Sequence, residues 1–151
     1  MNKEERVAVF AGSFDPYTRG HHDILCRALP LFDHVVVGVG VNEHKQCMYG
    51  AAERVERIAQ LYADDPRVTV EQYSGLTVDF AHQHGASFII KGVRSMKDFE
   101  YEREQADVNR QISGIDTLLL IATPALASVS SSVVRELMHY GKDVSAFLPQ
   151  R

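Results

Sequence analysis

Four short stretches of this sequence combine cations, hydroxyls and glycines in ways that suit a phosphorylated ligand. Gly12-Ser-Phe-Asp-Pro16 runs into Tyr17-Thr-Arg-Gly-His21. Gly12 permits close backbone approach and Asp-Pro forces a turn. Thr18-x-Gly20-His21 stands where a helix would open, with free N–H groups and a dipole that favour an anion. His21 there can donate a hydrogen bond to a phosphate oxygen; the alternative is a turn with a surface histidine. Asn42 to Gln46 carries Lys45, which either meets a phosphate or is solvated, as most loop lysines are. Lys91-Gly-Val-Arg94 sets two cations three residues apart around a glycine, a costly repulsion unless an anion sits between them. Ser128-Val-Ser-Ser-Ser132 puts three serines, Ser130, Ser131 and Ser132, at the opening of a helix. One hydroxyl suffices for an N-cap, so the triplet exceeds what capping needs.

The elements that must position these stretches are legible as alternating strands and helices. Val7–Ala11, Val35–Val41, Phe88–Ile90 and Thr117–Ile121 are continuous apolar runs, suited to strands covered on both faces. Val68–Tyr73 alternates and belongs nearer an edge. Helical patterns fill the gaps at Asp23–Leu31, Ala51–Tyr62, Leu76–His84, Asp98–Ile112 and Ser130–Tyr140. Val55, Ile58, Ala59 and Tyr62 fall on one helical face, and Gly85 and Gly141 stand as C-terminal stops. The alternation predicts a single α/β domain over residues 1–151, a doubly wound, five-stranded parallel sheet with a Rossmann-like layout. Ligands of such sheets bind beyond the carboxyl ends of the strands, where the chemical stretches lie. The helix Asp98–Ile112 is polar nearly all round, which suits either a solvated helix or one facing a partner subunit.

Composition narrows the function. The formal net charge is −4 over 151 residues and the cations are scattered, so no nucleic-acid partner is expected. Cys26 and Cys47 form neither a CxxC pair nor a metal spacing, and read as reduced thiols of a cytoplasmic protein. Met1 to Arg6 is charged and leads straight into a strand, unlike a signal peptide, and no apolar stretch approaches the ~20 residues that span a bilayer. There is no GxGxxG and no GxxxxGK[ST]; Gly38-Val-Gly40 lies inside a strand and reads as packing, against a dehydrogenase or a P-loop enzyme. His22, His82 and His84 read as surface residues.

These motifs resemble the phosphopantetheine adenylyltransferases, members of the nucleotidyltransferase superfamily. Gly12-Ser-Phe-Asp-Pro-x-Thr-x-Gly-His21 is similar to the family's first signature, and Lys91-Gly-Val-Arg94, Asp98-Phe-Glu-Tyr-Glu102, Val129-Ser-Ser-Ser132 and Leu148-Pro149 are similar to the rest. Thr18 stands where the wider superfamily usually carries the first histidine of HxGH, which is the adenylyltransferase variant. Lys91 stands where many members have arginine, keeping the charge but losing the bidentate fork. The resemblance implies AMP transfer from ATP to 4′-phosphopantetheine, with Mg²⁺, in a homohexamer. It implies that Ser13, Lys45, Thr77 and Lys91 contact the acceptor. ATP would be lined by Ser13, Phe14 and His21, by Gly92, Val93, Arg94 and Glu102, and by Leu126, Ala127, Ser128 and Val129 with the serine triplet. His21, Lys45 and Arg94 would carry the chemistry. The nearest rival is an adenylyltransferase of nicotinamide mononucleotide, against which the FEYE segment and the short length speak. A non-catalytic nucleotide sensor would be expected to lose one of the three.

Overall fold

The computed structural model describes residues 4–150. Five parallel strands form one sheet in the order β3-β2-β1-β4-β5. The strands are β1 (Val7–Gly12), β2 (His34–Gly40), β3 (Val68–Tyr73), β4 (Phe88–Val93) and β5 (Asp116–Ile121). The helices are α1 (Arg19–Ala28), α2 (Ala51–Leu61), α3 (Thr77–Gln83), α4 (Met96–Ser113) and α5 (Ser131–His139).

Strand periodicity sends alternate side chains of β1 to opposite faces. Ala8 and Phe10 join Val35, Val37 and Ile90 beneath Leu25 of α1 and Ile58 of α2. Val9 and Ala11 join Val36 and Ile89 on the other face against Val78, Phe80 and Ala81 of α3. The chain winds outward from β1 to β3, then returns to place β4 on the other side of β1. That reversal makes a crevice between the ends of β1 and β4, the place where sheets of this kind hold ligands.

The alternating strand, β3, is at an edge as its pattern implies. β5 is an edge too, although its apolar run suited a covered strand, and its Ile121 is 76% exposed. β4 is longer than its apolar core predicts. Pairing with β5 continues through Val93, so Lys91, Gly92 and Val93 are strand residues rather than a loop. α1 begins at Arg19 and stops at Ala28, and Leu29–Leu31 forms a separate 3₁₀ turn around Pro30.

Gly38 is a packing glycine. A Cβ there would stand 2.6 Å from Phe80 Cε1 and 3.0 Å from Tyr73 Cε1, and those two rings are stacked on each other at 4.5 Å between centroids. Neither can retreat without disturbing the core. Gly38→Ala is therefore expected to lower the unfolding free energy by about 1–3 kcal/mol through overpacking, read as a lower denaturant midpoint. An unchanged midpoint would show that the ring pair is loose.

Candidate functional site

A cleft of about 320 Å³ opens at the carboxyl ends of β1 and β4, within the size range of small-molecule sites. Ser13, Phe14 and His21 enter it from the β1–α1 connection and Lys45 from the loop after β2. Lys91, Gly92 and Arg94 reach it from β4, Glu102 from α4, and Leu126, Val129 and the serine triplet from the chain leading into α5. Gly92 makes this approach possible, because a Cβ there would lie 2.8 Å from Ile24 Cγ1 and push β4 away from α1.

His21 is held in one orientation and one tautomer. Thr18 caps α1: its Oγ1 accepts from the His21 backbone N–H at 3.3 Å, while its own N–H donates to His21 Nδ1 at 3.0 Å. This is a capping box in which histidine replaces the usual glutamate. A backbone N–H can only donate, so Nδ1 carries the lone pair and the neutral ring bears its proton on Nε2. Tyr17 stacks on the ring at 5.4 Å, and Phe14 meets it edge-on at 5.0 Å. Burial lowers its pKa from 6.5 to about 4, and repulsion from Arg94 and Lys91 acts in the same direction. The group offered to the cleft at neutral pH is thus an uncharged N–H donor.

The cations are distributed over carboxylates. Arg94 Nε lies 3.1 Å from Asp98 Oδ2, and Lys91 Nζ lies 4.0 Å from Glu102 Oε2 and donates to the Ala11 carbonyl at 3.2 Å. Asp98 and Glu102, one turn apart on α4, therefore supply the anions that Lys91 and Arg94 need before any ligand binds. Lys45 is exposed, and its ammonium donates to Ser13 Oγ at 3.4 Å.

The serine triplet divides its work. Ser130 is the N-cap of α5, accepting from the Val133 N–H at 3.2 Å, and Ser131 donates to the Pro16 carbonyl at 2.7 Å. Ser132 Oγ accepts from Arg135 Nη2 at 3.2 Å. With the Val133 N–H taken by the cap, the backbone N–H groups of Ser131 and Ser132 are the helix's own anion-binding donors. Val93, Ala127, Ser128 and Thr77 lie outside the lining of this cleft. Val93 is buried in the sheet, and Thr77 bonds Tyr73 Oη at 2.8 Å at the β3 side.

Sequence reasoning missed Arg135, which lines the cleft and donates to the Asp15 carbonyl at 2.8 Å. Its signal was its place one turn into the serine-capped helix, four residues after Ser131. It also missed two buried charges, Asp15 and Arg54. Arg54 was detectable as a charge one turn before Ile58, on the apolar face of its helix. Of the histidines, His82 is exposed, whereas His22 bonds Tyr62 Oη at 2.7 Å and His84 lies 2.8 Å from Glu71.

Residues 9–137 match the family described as cytidylyltransferase-like. The chain is 51% identical over 145 residues to the phosphopantetheine adenylyltransferase of Phocaeicola vulgatus, covering 96% of each chain. It is 52% identical over 147 residues to that of Porphyromonas gingivalis, covering 97% of this chain and 96% of the relative. Among solved structures, one from Vibrio parahaemolyticus, named provisionally as a nicotinate-nucleotide adenylyltransferase, superposes with a TM-score of 0.67. It covers 97% of this chain and 95% of its own at 17% identity, a likeness of fold alone.

The depressed pKa of His21 also sets a pH dependence of stability. Between pH 6.5 and about 4 the unfolded chain takes up a proton at this histidine that the folded chain refuses, so stability is full above that window and falls as the pH drops through it. His21→Gln removes this contribution. Denaturant midpoints at neutral pH and near pH 4 should therefore fall less in the variant than in the parent. An equal fall would show that His21 titrates normally in the fold.

Proposed function

This chain belongs to the phosphopantetheine adenylyltransferase family, and on that premise we propose that its cleft joins ATP to 4′-phosphopantetheine, giving dephospho-coenzyme A and pyrophosphate. It is a nucleotidyltransferase of coenzyme A synthesis. The observation that best supports the division of roles below is the meeting in one cleft of an N–H-presenting histidine, Lys45 from the loop after β2, Lys91 and Arg94 from the end of β4, and a helix N-terminus.

An oxygen of the acceptor phosphate attacks the α-phosphorus of ATP. The new O–Pα bond forms as the bond from Pα to the bridging oxygen of the β-phosphate breaks, and pyrophosphate leaves with that electron pair. The attacking oxygen is already anionic near neutral pH, so no general base is required. Neither cysteine lines the cleft, and the reaction as written needs no covalent enzyme intermediate. The barrier is electrostatic and geometric, two anions having to approach in line.

His21 Nε2–H donates to the α-phosphate as charge builds there, a role in which a neutral donor serves. Lys45 and Ser13 hold the attacking phosphate, with Lys91 behind them. Arg94 exchanges Asp98 for the β- and γ-phosphates, which also rest on the N-terminal N–H groups of α5. Leu126 and Val129 give the adenine an apolar surface, and the pantetheine arm extends toward Thr77. Among the described residues no group of three or more His, Cys, Asp or Glu side chains could hold a metal. The cleft carboxylates Asp15, Asp23, Asp98 and Glu102 already have protein partners. Mg²⁺ would supply positive charge to offset the triphosphate, with no set of these side chains among the described residues to hold it apart from the nucleotide.

Hexamer formation would explain the outer surface of α4 and β5. α4 buries none of its residues, and Met96, Tyr101, Ile112 and Ile121 are all more than half exposed. An apolar edge of this kind suits a subunit contact. The two free cysteines suit the cytoplasm, and no helix of the described residues is long and apolar enough to cross a membrane.

Three measurements test this reading. His21→Ala should lower kcat by ~10²–10³ with little change in the calorimetric Kd for ATP; an unaltered kcat removes His21 from the transition state. Pyrophosphate release should require 4′-phosphopantetheine and not occur with nicotinamide mononucleotide; the opposite preference refutes the acceptor. Tyr101→Glu with Ile121→Glu should reduce the sedimenting mass from that of a hexamer, and a parent that sediments as a monomer would refute the assembly.

A further inference from the structure

We infer that Arg54, a residue with no place in the chemistry above, positions Lys45 and Ser13 by clamping both ends of the lysine loop to the turn after β1. Arg54 is only 3% exposed, yet none of the ion pairs among the described residues includes it. Its guanidinium is spent on backbone carbonyls instead. Nη1 donates to Gly40 O at 3.1 Å, where the loop leaves β2, and Nε donates to Tyr49 O at 3.0 Å, where the loop rejoins α2. The same Nη1 donates to Ser13 O at 2.6 Å. Lys45 lies between those two ends, and its ammonium reaches the hydroxyl of the same Ser13.

Asp15 completes the clamp from the other side. It is 2% exposed, and its two oxygens accept from the Met48 N–H at 2.7 Å and the Tyr49 N–H at 2.9 Å. Tyr49 is thereby held through its N–H by Asp15 and through its C=O by Arg54. Neither side chain pairs with the other; both charges are satisfied by main-chain dipoles of the segments that carry Ser13 and Lys45. A buried guanidinium needs several acceptors whatever its role; here they come from the ends of two other segments as well as from the turn before its own helix. Three carbonyls that bracket two proposed acceptor contacts point to placement of the attacking phosphate. Lysine at this position keeps the charge but offers no fork to span three acceptors.

The inference rests on the acceptor roles given to Lys45 and Ser13, so the experiment separates the two. Steady-state kinetics are measured for Lys45→Ala, Arg54→Lys and the double variant, with thermal melts alongside. Arg54→Lys alone should lower kcat/KM for 4′-phosphopantetheine on the order of 10- to 100-fold, the scale of a misplacement near 1 Å, with the KM for ATP unmoved. In the Lys45→Ala background it should add almost nothing, because it acts through the lysine. Additive losses, or an Arg54→Lys enzyme with lower melting temperature and parental kinetics, would overturn the clamp and leave a structural role. A normal Lys45→Ala enzyme would instead refute the acceptor reading, whatever Arg54 does. Should Arg54→Lys not fold, Asp15→Asn, which keeps only one side-chain oxygen to accept from the Met48 and Tyr49 N–H groups, runs through the same cycle with the same outcomes.

Discussion

The turn from Gly12 to Pro16, after the central strand, is the constraint on which the other contacts converge. Its carbonyls receive Arg54 at Ser13, Arg135 at Asp15 and Ser131 at Pro16. Its one carboxylate captures the backbone of the segment beyond Lys45. Phe14 adopts a φ of 49°, the left-handed region that side chains other than glycine seldom occupy. The strain is on the order of 1–3 kcal/mol, and burying the phenyl ring to 4% exposure returns a comparable ~1.5–3 kcal/mol. That ring then forms part of the wall around His21. One short segment thus fixes the histidine, the lysine loop and the helix N-terminus relative to one another.

The electrostatics of the cleft follow from the same economy. Lys91 and Arg94 would repel each other and any imidazolium nearby, and the chain answers this twice. Glu102 and Asp98 sit opposite them from α4, and burial together with the two cations keeps His21 uncharged. A neutral donor with its proton fixed on Nε2 needs no change of protonation during phosphate attack. The site is thereby suited to a reaction with an anionic nucleophile and poorly suited to one that needs a proton removed.

Much of this was legible in the sequence, because strand–helix alternation and glycine- or serine-marked helix ends are local properties. The five strands, the edge position of β3 and the segments bearing His21, Lys45 and the serines could be located without coordinates. What escaped was set by tertiary partners. The extension of β4 to Val93 depends on its register with β5, which no single segment encodes. The polarity of Asp98 and Glu102 reads as a wet helix face until the sheet edge places cations opposite. Arg54 could be placed on the apolar face of its helix, unlike Arg57, which lies half-exposed over the Tyr49 ring, but the carbonyls it binds come from segments that only the fold brings together.

Asp15 and Arg54 also show why buried charge can persist where an apolar pair would pack as well. Burying two ions costs several kcal/mol each, and hydrophobic replacements of buried pairs are often as stable or more so. Here neither charge is used to attract the other. Each organises backbone groups from segments distant in sequence, and a methyl group cannot bind a carbonyl. With Leu in place of Arg54, the carbonyls of Ser13, Gly40 and Tyr49 would lose a shared donor, and the loop between them would keep its length but not its register over β1. The desolvation cost is thus tied to the accuracy with which the lysine loop meets the rest of the cleft rather than to the stability of the sheet beneath it.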